Sequence, residues 1–138
     1  MAVEQTLILA KPDAVRRSLV GEIVARFERR GFTLRAARLL KVDRALAEQH
    51  YAEHSAKPFF DELVAFITSG PTLAFVLEGE GAIATARVTI GATNPAEAKP
   101  GSLRGSLALA MPDNLVHGSD SPESAAREIA LWFPDGLV

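Results

Sequence analysis

The chain has 138 residues, 48% of them hydrophobic, and 15 Lys and Arg against 17 Asp and Glu give it a formal net charge of −2. That length suits one domain with a single core, expected to span residues 1–138, and the near-neutral balance argues against nucleic acid as the main ligand. Without a cysteine it has no disulfide, thiolate nucleophile or Cys-based metal site. No apolar run approaches the ~20 residues that span a bilayer. The N-terminal run Leu7-Ile8-Leu9-Ala10 is too short for a secretory signal, so the expectation is a cytoplasmic protein that binds no membrane.

Val3 to Ala10 predicts a strand ending in a buried apolar run. Lys11-Pro12-Asp13 stops it, because proline lacks a backbone donor. Lys11 at the end of a first core strand is well placed to meet a phosphate, although a solvated turn lysine fits the same position. Ser18 is expected to cap a helix running to about Arg30, with Leu19, Val20, Ile23, Val24 and Phe27 as its apolar stripe. Gly31 is a natural residue to follow that helix. Phe32 to Val42 reads as a strand with Arg35, Arg38 and Lys41 interspersed.

Arg44 to about His54 predicts a short helix in which His50 and His54 can share a face. A two-histidine metal site needs a third ligand. Glu53 is nearby but no further pattern supports it, so a solvated helix face is the expectation. After Lys57-Pro58 another helix starts at Phe59 or Phe60, with Phe60, Leu63, Val64 and Ile67 on one side. The neighbouring phenylalanines cannot both join that stripe, which leaves one free to stack on a flat ligand. Thr68-Ser69-Gly70-Pro71 is a turn and Thr72 to Leu77 a strand.

Gly79-x-Gly81-x-x-Ala84 matches a loose dinucleotide-binding fingerprint. The segment after its helix, which runs to about Ile90, is rich in Gly, Pro, Asn and Thr and does not read as the second strand of a parallel unit. Residues 91–105 form a long irregular connection, more often functional than structural in so small a domain. Leu107, Leu109 and Met111 alternate with small residues and predict a strand at 106–111. Asn114 to Asp120 then places His117 in a glycine-containing turn. Ser121-Pro122-Glu123 reads as a helix start, and the helix at about 122–133 is expected to bury Ala126, Ile129, Ala130 and Phe133, with Glu128 beside that face.

Asn114-x-x-His117-Gly118-Ser119-Asp120 resembles the signature of the nucleoside diphosphate kinase family. Lys11-Pro12-Asp13, His50-Tyr51, Lys57-Pro58-Phe59-Phe60, Ser69-Gly70-Pro71, Glu78-Gly79, Arg87, Gly91-Ala92-Thr93-Asn94-Pro95, Pro100-Gly101-Ser102-Leu103-Arg104-Gly105 and Glu128 to Phe133 match in the same order, over essentially the whole chain. The resemblance implies an α+β ferredoxin-like sandwich with a four-stranded antiparallel sheet. Strands at 3–10, 32–42, 72–77 and 106–111 supply that count. It also implies transfer of a γ-phosphoryl group, mainly from ATP, to nucleoside diphosphates. The transfer runs by ping-pong through a phosphohistidine on His117 and maintains the NTP and dNTP pools.

The chemistry suits the residue types. A neutral imidazole is a good nucleophile near pH 7, its ordinary pKa being about 6.5. By resemblance, Glu128 accepts from the other ring nitrogen and is itself contacted by Ser119. Lys11, Arg87, Arg104 and Thr93 meet the phosphates, and Tyr51 lies near phosphates and histidine. Phe59 stacks on the base with Leu63 nearby, and Lys11 and Asn114 bond the sugar hydroxyls. Mg²⁺ is held mostly by nucleotide and water, with no protein ligand assigned directly and Asp120 acting through water. Assembly as a homotetramer or homohexamer is implied.

The presence of His117, Lys11, Tyr51, Arg87, Thr93, Arg104, Asn114 and Glu128 weighs against a non-catalytic interaction protein on the same fold. A dedicated protein-histidine phosphorelay would differ by failing to turn over free diphosphates. Three positions depart from the family pattern: Ser106 in place of a usual Asp, Pro112-Asp113 in place of a Gly-Arg type turn, and Ala14 in place of a frequent Gly.

Overall fold

The computed structural model describes residues 2–138, so Met1, the first residue of the expected domain, lies outside the described residues. Four antiparallel strands form one sheet in the order β2-β3-β1-β4: β1 (Val3–Ala10), β2 (Thr33–Lys41), β3 (Pro71–Glu80) and β4 (Val116–Gly118). Among the described residues seven α-helices lie between and after them: α1 (Pro12–Arg16), α2 (Val20–Arg30), α3 (Arg44–His50), α4 (Phe60–Ile67), α5 (Ala82–Ile90), α6 (Leu103–Leu107) and α7 (Pro122–Trp132). This is the α+β ferredoxin-like arrangement, with added helices on the second face. Among the described residues no helix is long and apolar enough to cross a membrane.

Side chains of a strand alternate between faces, and here both faces are covered. Ile8 and Ala10 of β1 join Phe75 and Leu77 of β3 under α2 and α5. Leu7 and Leu9 join Ala74 and Val76 under α3, α4 and α7. Double coverage explains why β1 ends in a continuous apolar run rather than an alternating one. The central strands β1 and β3 are buried along most of their length, whereas β2 forms one edge and stays largely open.

Several expectations are corrected. The fourth strand is not at 106–111. Leu103–Leu107 is α6, and Leu109 and Met111 stand exposed. Their alternation has no partner strand to give it meaning. The true β4 is three residues long, too short to show a period, and it aligns His117 with Leu9 of β1, so His117 belongs to a strand and not to a tight turn. Ser18 does not cap α2. It adopts a left-handed φ of 59° and Leu19 takes the cap position with no side-chain bond. Pro12 does not simply stop β1, because it occupies the first turn of α1, where its missing N–H costs nothing.

The face of α7 is also rotated from the expected one. Ala125, Glu128 and Trp132 are buried while Ala126 and Ala130 are exposed. The helix turns its carboxylate inward because Glu128 has partners on the sheet. Gly79-x-Gly81-x-x-Ala84 is no nucleotide fingerprint, since Gly79 lies within β3 and β3 pairs antiparallel with both neighbours. The Ser121 cap is as expected, its side chain accepting from the Ser124 N–H. Gly31 ends α2 in the left-handed region, at φ 107°.

Candidate active site

The centre of the site is a carboxylate shared by two donors. β4 carries His117 and the residue after it brings Ser119 toward α7. Ser119 is locked to β1 both ways: its N–H donates to the Leu7 carbonyl at 3.1 Å, and the Leu7 N–H donates to its Oγ at 3.1 Å. From there Ser119 Oγ donates to Glu128 Oε1 at 2.7 Å, and His117 Nε2 meets the same oxygen at 3.0 Å. Burial pushes the Glu128 carboxyl up, but the hydrogen bond and charge of His117 and the bond from Ser119 outweigh it and hold the group below the ordinary carboxylate range. An ionised Glu128 accepts a proton-bearing Nε2, which leaves Nδ1 of His117 as the ring nitrogen with a free lone pair.

Next to His117 the backbone is strained. Leu115 is fully buried with φ at 70°, a conformation unusual for a bulky residue. Both its backbone groups are held by one segment. The Leu115 N–H donates to Asp13 Oδ2 at 2.9 Å, and its carbonyl accepts from the Lys11 N–H at 2.8 Å. The Lys11-Pro12-Asp13 segment therefore fixes the path from Asn114 to His117.

Three cations surround this path. The Lys11 ammonium lies 5.6 Å from the centroid of the Phe66 ring. Burial, and then the charge of Arg104, push it down to about 8. Arg104 is buried and spends its guanidinium on carbonyls: Nε donates to Asn114 at 3.0 Å, one terminal nitrogen to Gly91 at 3.0 Å and the other to Val116. Burial, followed by the charge of Arg87, lowers it to about 10. Arg87 is exposed and donates to the Gly118 carbonyl at 3.0 Å. Asn114 donates to the Thr93 carbonyl at 3.0 Å, while its Oδ1 is buried without a partner. Thr93 itself is exposed at the rim.

Aromatic rings extend the site outward. His50 meets His117 with ring centroids 4.7 Å apart and Tyr51 at 4.8 Å. Tyr51 lies 6.5 Å from His54, and His54 5.6 Å from Phe59. Phe59 is 41% exposed and carries the Lys57 ammonium over its ring, whereas Phe60 packs on the core; of the adjacent pair, Phe59 is the available one. Leu63 is half-buried one turn along α4. Burial, and next the Glu128 charge, push the Tyr51 hydroxyl up to about 12. Asp120 is exposed and lines a shallow hollow with Glu4, Ile83 and Pro122.

Sequence reasoning missed two participants. Asp13 entered only within a strand stop and a matched motif, with no role of its own, and Trp132 not at all as a site residue. His50 was expected on a solvated face, but α3 ends there, a 3-10 turn carries His54 elsewhere, and His50 is 4% exposed. The departures from the family pattern sit quietly. Ser106 still closes the loop by accepting from the Gly101 N–H at 3.2 Å, Pro112 and Asp113 are exposed, and Ala14 is fully buried.

The comparisons agree on one family. A model described as nucleoside diphosphate kinase matches residues 4–138. The chain is 57% identical over 136 residues to nucleoside diphosphate kinase 1 of Spinacia oleracea, covering 99% of this chain and 92% of that one. It is 62% identical over 134 residues to the nucleoside diphosphate kinase of Frankia casuarinae, covering 97% and 98%. Among solved structures, a halophilic nucleoside diphosphate kinase from Halobacterium salinarum in complex with CDP superposes with a TM-score of 0.95 at 46% identity, covering 99% of this chain and 92% of that one. With the family matched along nearly its whole length, the chain belongs to the nucleoside diphosphate kinases, nucleotide-binding phosphotransferases.

Proposed function

We propose that this kinase works by ping-pong through a phosphohistidine on His117, in one catalytic domain spanning residues 1–138. The observation that carries the reading is the pairing of His117 Nε2 with Glu128 at 3.0 Å, which leaves Nδ1 free. The Nδ1 lone pair attacks the γ-phosphorus of ATP, the bond to the β-γ bridging oxygen breaks, and its electron pair leaves with the diphosphate. Glu128, held by Ser119, balances the positive charge that grows on the ring. The acceptor diphosphate then attacks the same phosphorus and restores the imidazole. One site thus serves donor and acceptor in turn and sustains the NTP and dNTP pools of the cytoplasm.

Phosphoryl transfer demands positioning and charge neutralisation more than covalent help. Lys11, Arg87 and Arg104 supply the cations for the phosphates with Thr93 at the rim, and Tyr51 lines the approach to His117. Asn114 and Lys11 bond the sugar. Phe59 stacks on the base beside Leu63, which any base permits because every base has a π-face. Among the described residues the one cluster of three His or carboxylate ligands is His50, His117 and Glu128, poor in the hard oxygens that Mg²⁺ prefers. The residues therefore fit a Mg²⁺ that arrives on the nucleotide with its own waters, Asp120 acting through water. Bound there, Mg²⁺ would neutralise the β- and γ-phosphates. Exposed Leu39, Leu109 and Met111 support self-assembly, as a homotetramer or homohexamer.

Incubation with γ-labelled ATP tests the reading. The protein should take up an acid-labile, base-stable label that chases onto added diphosphates. No label, or label that survives His117→Ala, would sink it.

A further inference from the structure

His50 is buried beside the nucleophile, yet the chemistry above gives it no task. Its state is set from behind. The Trp132 indole N–H, fully buried, donates to His50 Nδ1 at 3.1 Å. A nitrogen that accepts carries no proton, so the neutral ring holds its hydrogen on Nε2. The ring stands nearly upright on both neighbours, at 86° to Trp132 and 77° to His117. A nitrogen from each histidine and an oxygen of Glu128 lie within 4.8 Å of one another.

By composition that trio resembles a metal site, but the hydrogen bonding opposes it. A histidine ligand normally donates its second N–H to an acceptor. Here the second nitrogen is the acceptor, so a cation on Nε2 would require a ring stripped of both protons. The charged and titratable groups facing His50 are His117 on β4, Glu128 and Arg127 on α7, Lys11 after β1, and its neighbour Tyr51. Burial first, then His117, push His50 down to about 3. Glu128 acts in the opposite direction, and Arg127 and Lys11 reinforce the fall.

We propose that His50, locked by Trp132 as a neutral Nε2–H tautomer, is a positioning residue for His117. It packs against the imidazole in the orientation that gives Nε2 to Glu128 and leaves Nδ1 open. This rests on His117 being the phosphorylated nucleophile. Neutrality matters because a cationic His50 would compete for the Glu128 carboxylate and place a like charge beside the ring during attack. Trp132 adds to the effect of burial by occupying the lone pair that a proton would take.

Nitrogen NMR of histidine-labelled wild-type protein reads the tautomer directly. His50 Nδ1 should be unprotonated and Nε2 protonated, with no change down to about pH 5. The opposite tautomer overturns the proposal. Single-turnover phosphorylation by ATP is then compared in Trp132→Phe, which frees Nδ1. The rate should fall by about 10-fold to 100-fold near pH 5–6, the scale of losing an outer partner of a working histidine, and recover by about pH 8, with nucleotide affinity within about twofold.

An unchanged rate overturns the proposal, and so does an equal loss at every pH, as a merely loosened core would give. Should Trp132→Phe fail to fold, His50→Gln keeps a donor and an acceptor and should retain more activity than His50→Leu. Equal rates in those two overturn it as well. Absence of label on the wild type would instead remove the phosphohistidine reading and this inference with it. Label at normal rates in every variant removes this inference alone.

Discussion

Ser119 and His117 converge on a single oxygen of Glu128, at 2.7 and 3.0 Å. Two donors on one carboxylate oxygen hold it in place while leaving Oε2 near the Arg127 guanidinium, 3.8 Å away. The carboxylate is thus aimed at the ring. Glu128→Ala should lower the rate of phosphoenzyme formation by about 100-fold, within the usual contribution of a positioned acid–base partner, and leave nucleotide binding intact. Rapid-quench kinetics beside equilibrium titration check both parts. A large rise in dissociation constant with an unchanged phosphorylation rate would contradict the assignment.

Ser119→Ala separates architecture from chemistry. The hydroxyl is fully buried and serves Glu128 and the Leu7 N–H together. Its loss leaves a β1 backbone donor unpaired, so denaturant unfolding should show a loss of about 1–3 kcal/mol, the cost of an orphaned buried group. The phosphorylation rate should fall less than in Glu128→Ala, because the carboxylate keeps its bond from His117.

How much of this was legible in the sequence varied with the kind of signal. β1, β2, β3 and α2 came through because long apolar runs and helical stripes carry a period. β4 did not, because three residues carry none and a neighbouring alternation at Leu107, Leu109 and Met111 imitated a strand. The inward turn of Glu128 was carried by the resemblance alone, for a related reason. Apolar periodicity assigns a carboxylate to water, and only the distant partners Ser119 and His117 reverse that. Trp132 lies outside the apolar face expected for α7, and its role as a donor to His50 is a tertiary contact across 82 positions. The Asn114 to Asp120 motif marked the site by resemblance, while the clip that Asp13 places on Leu115 has no local signature.

That clip makes a stability prediction. Asp13 is 3% exposed and its Oδ2 holds the N–H of a residue in a left-handed conformation. Asp13→Ala should cost about 1–3 kcal/mol by orphaning the Leu115 N–H. It should also slow phosphorylation, since Leu115 leads directly into the strand that presents His117. Calorimetry and single-turnover rates measured on the same samples should fall together. A stable variant with a normal rate would show that β4 holds its path without Asp13.

Lys11 gives a pH prediction. Its pKa lies at about 8, below the ordinary 10.5, chiefly through burial. Between those values the unfolded chain binds more protons than the folded one, so stability rises with pH through that window and the burden of the buried charge is fully felt below it. Binding runs the other way. If Lys11 meets the phosphates as proposed, that contact needs the cation, so kcat/KM for ATP should decline as pH rises through about 8 in the free enzyme. A flat profile from pH 7 to about 9.5 would place the phosphate contact elsewhere.

Arg87 and Arg104 look alike in sequence but differ in structure, and the difference predicts opposite balances of damage. Arg104 is buried with bonds to the carbonyls of Gly91, Asn114 and Val116, so it ties the residues 91–105 connection to the segment that leads to His117. Arg87 is exposed with one bond, to Gly118. Arg104→Ala leaves three carbonyls without that donor and should lower the melting temperature markedly, the stability loss reaching about 3 kcal/mol or more for a truncated, hydrogen-bonded buried charge. Arg87→Ala should change stability by no more than about 0.5 kcal/mol, as surface substitutions do, while raising the KM for ATP. Thermal denaturation and steady-state kinetics on the pair decide it. If Arg87→Ala proved the less stable of the two, the carbonyl clamp around Arg104 would not be what holds the residues 91–105 connection against β4.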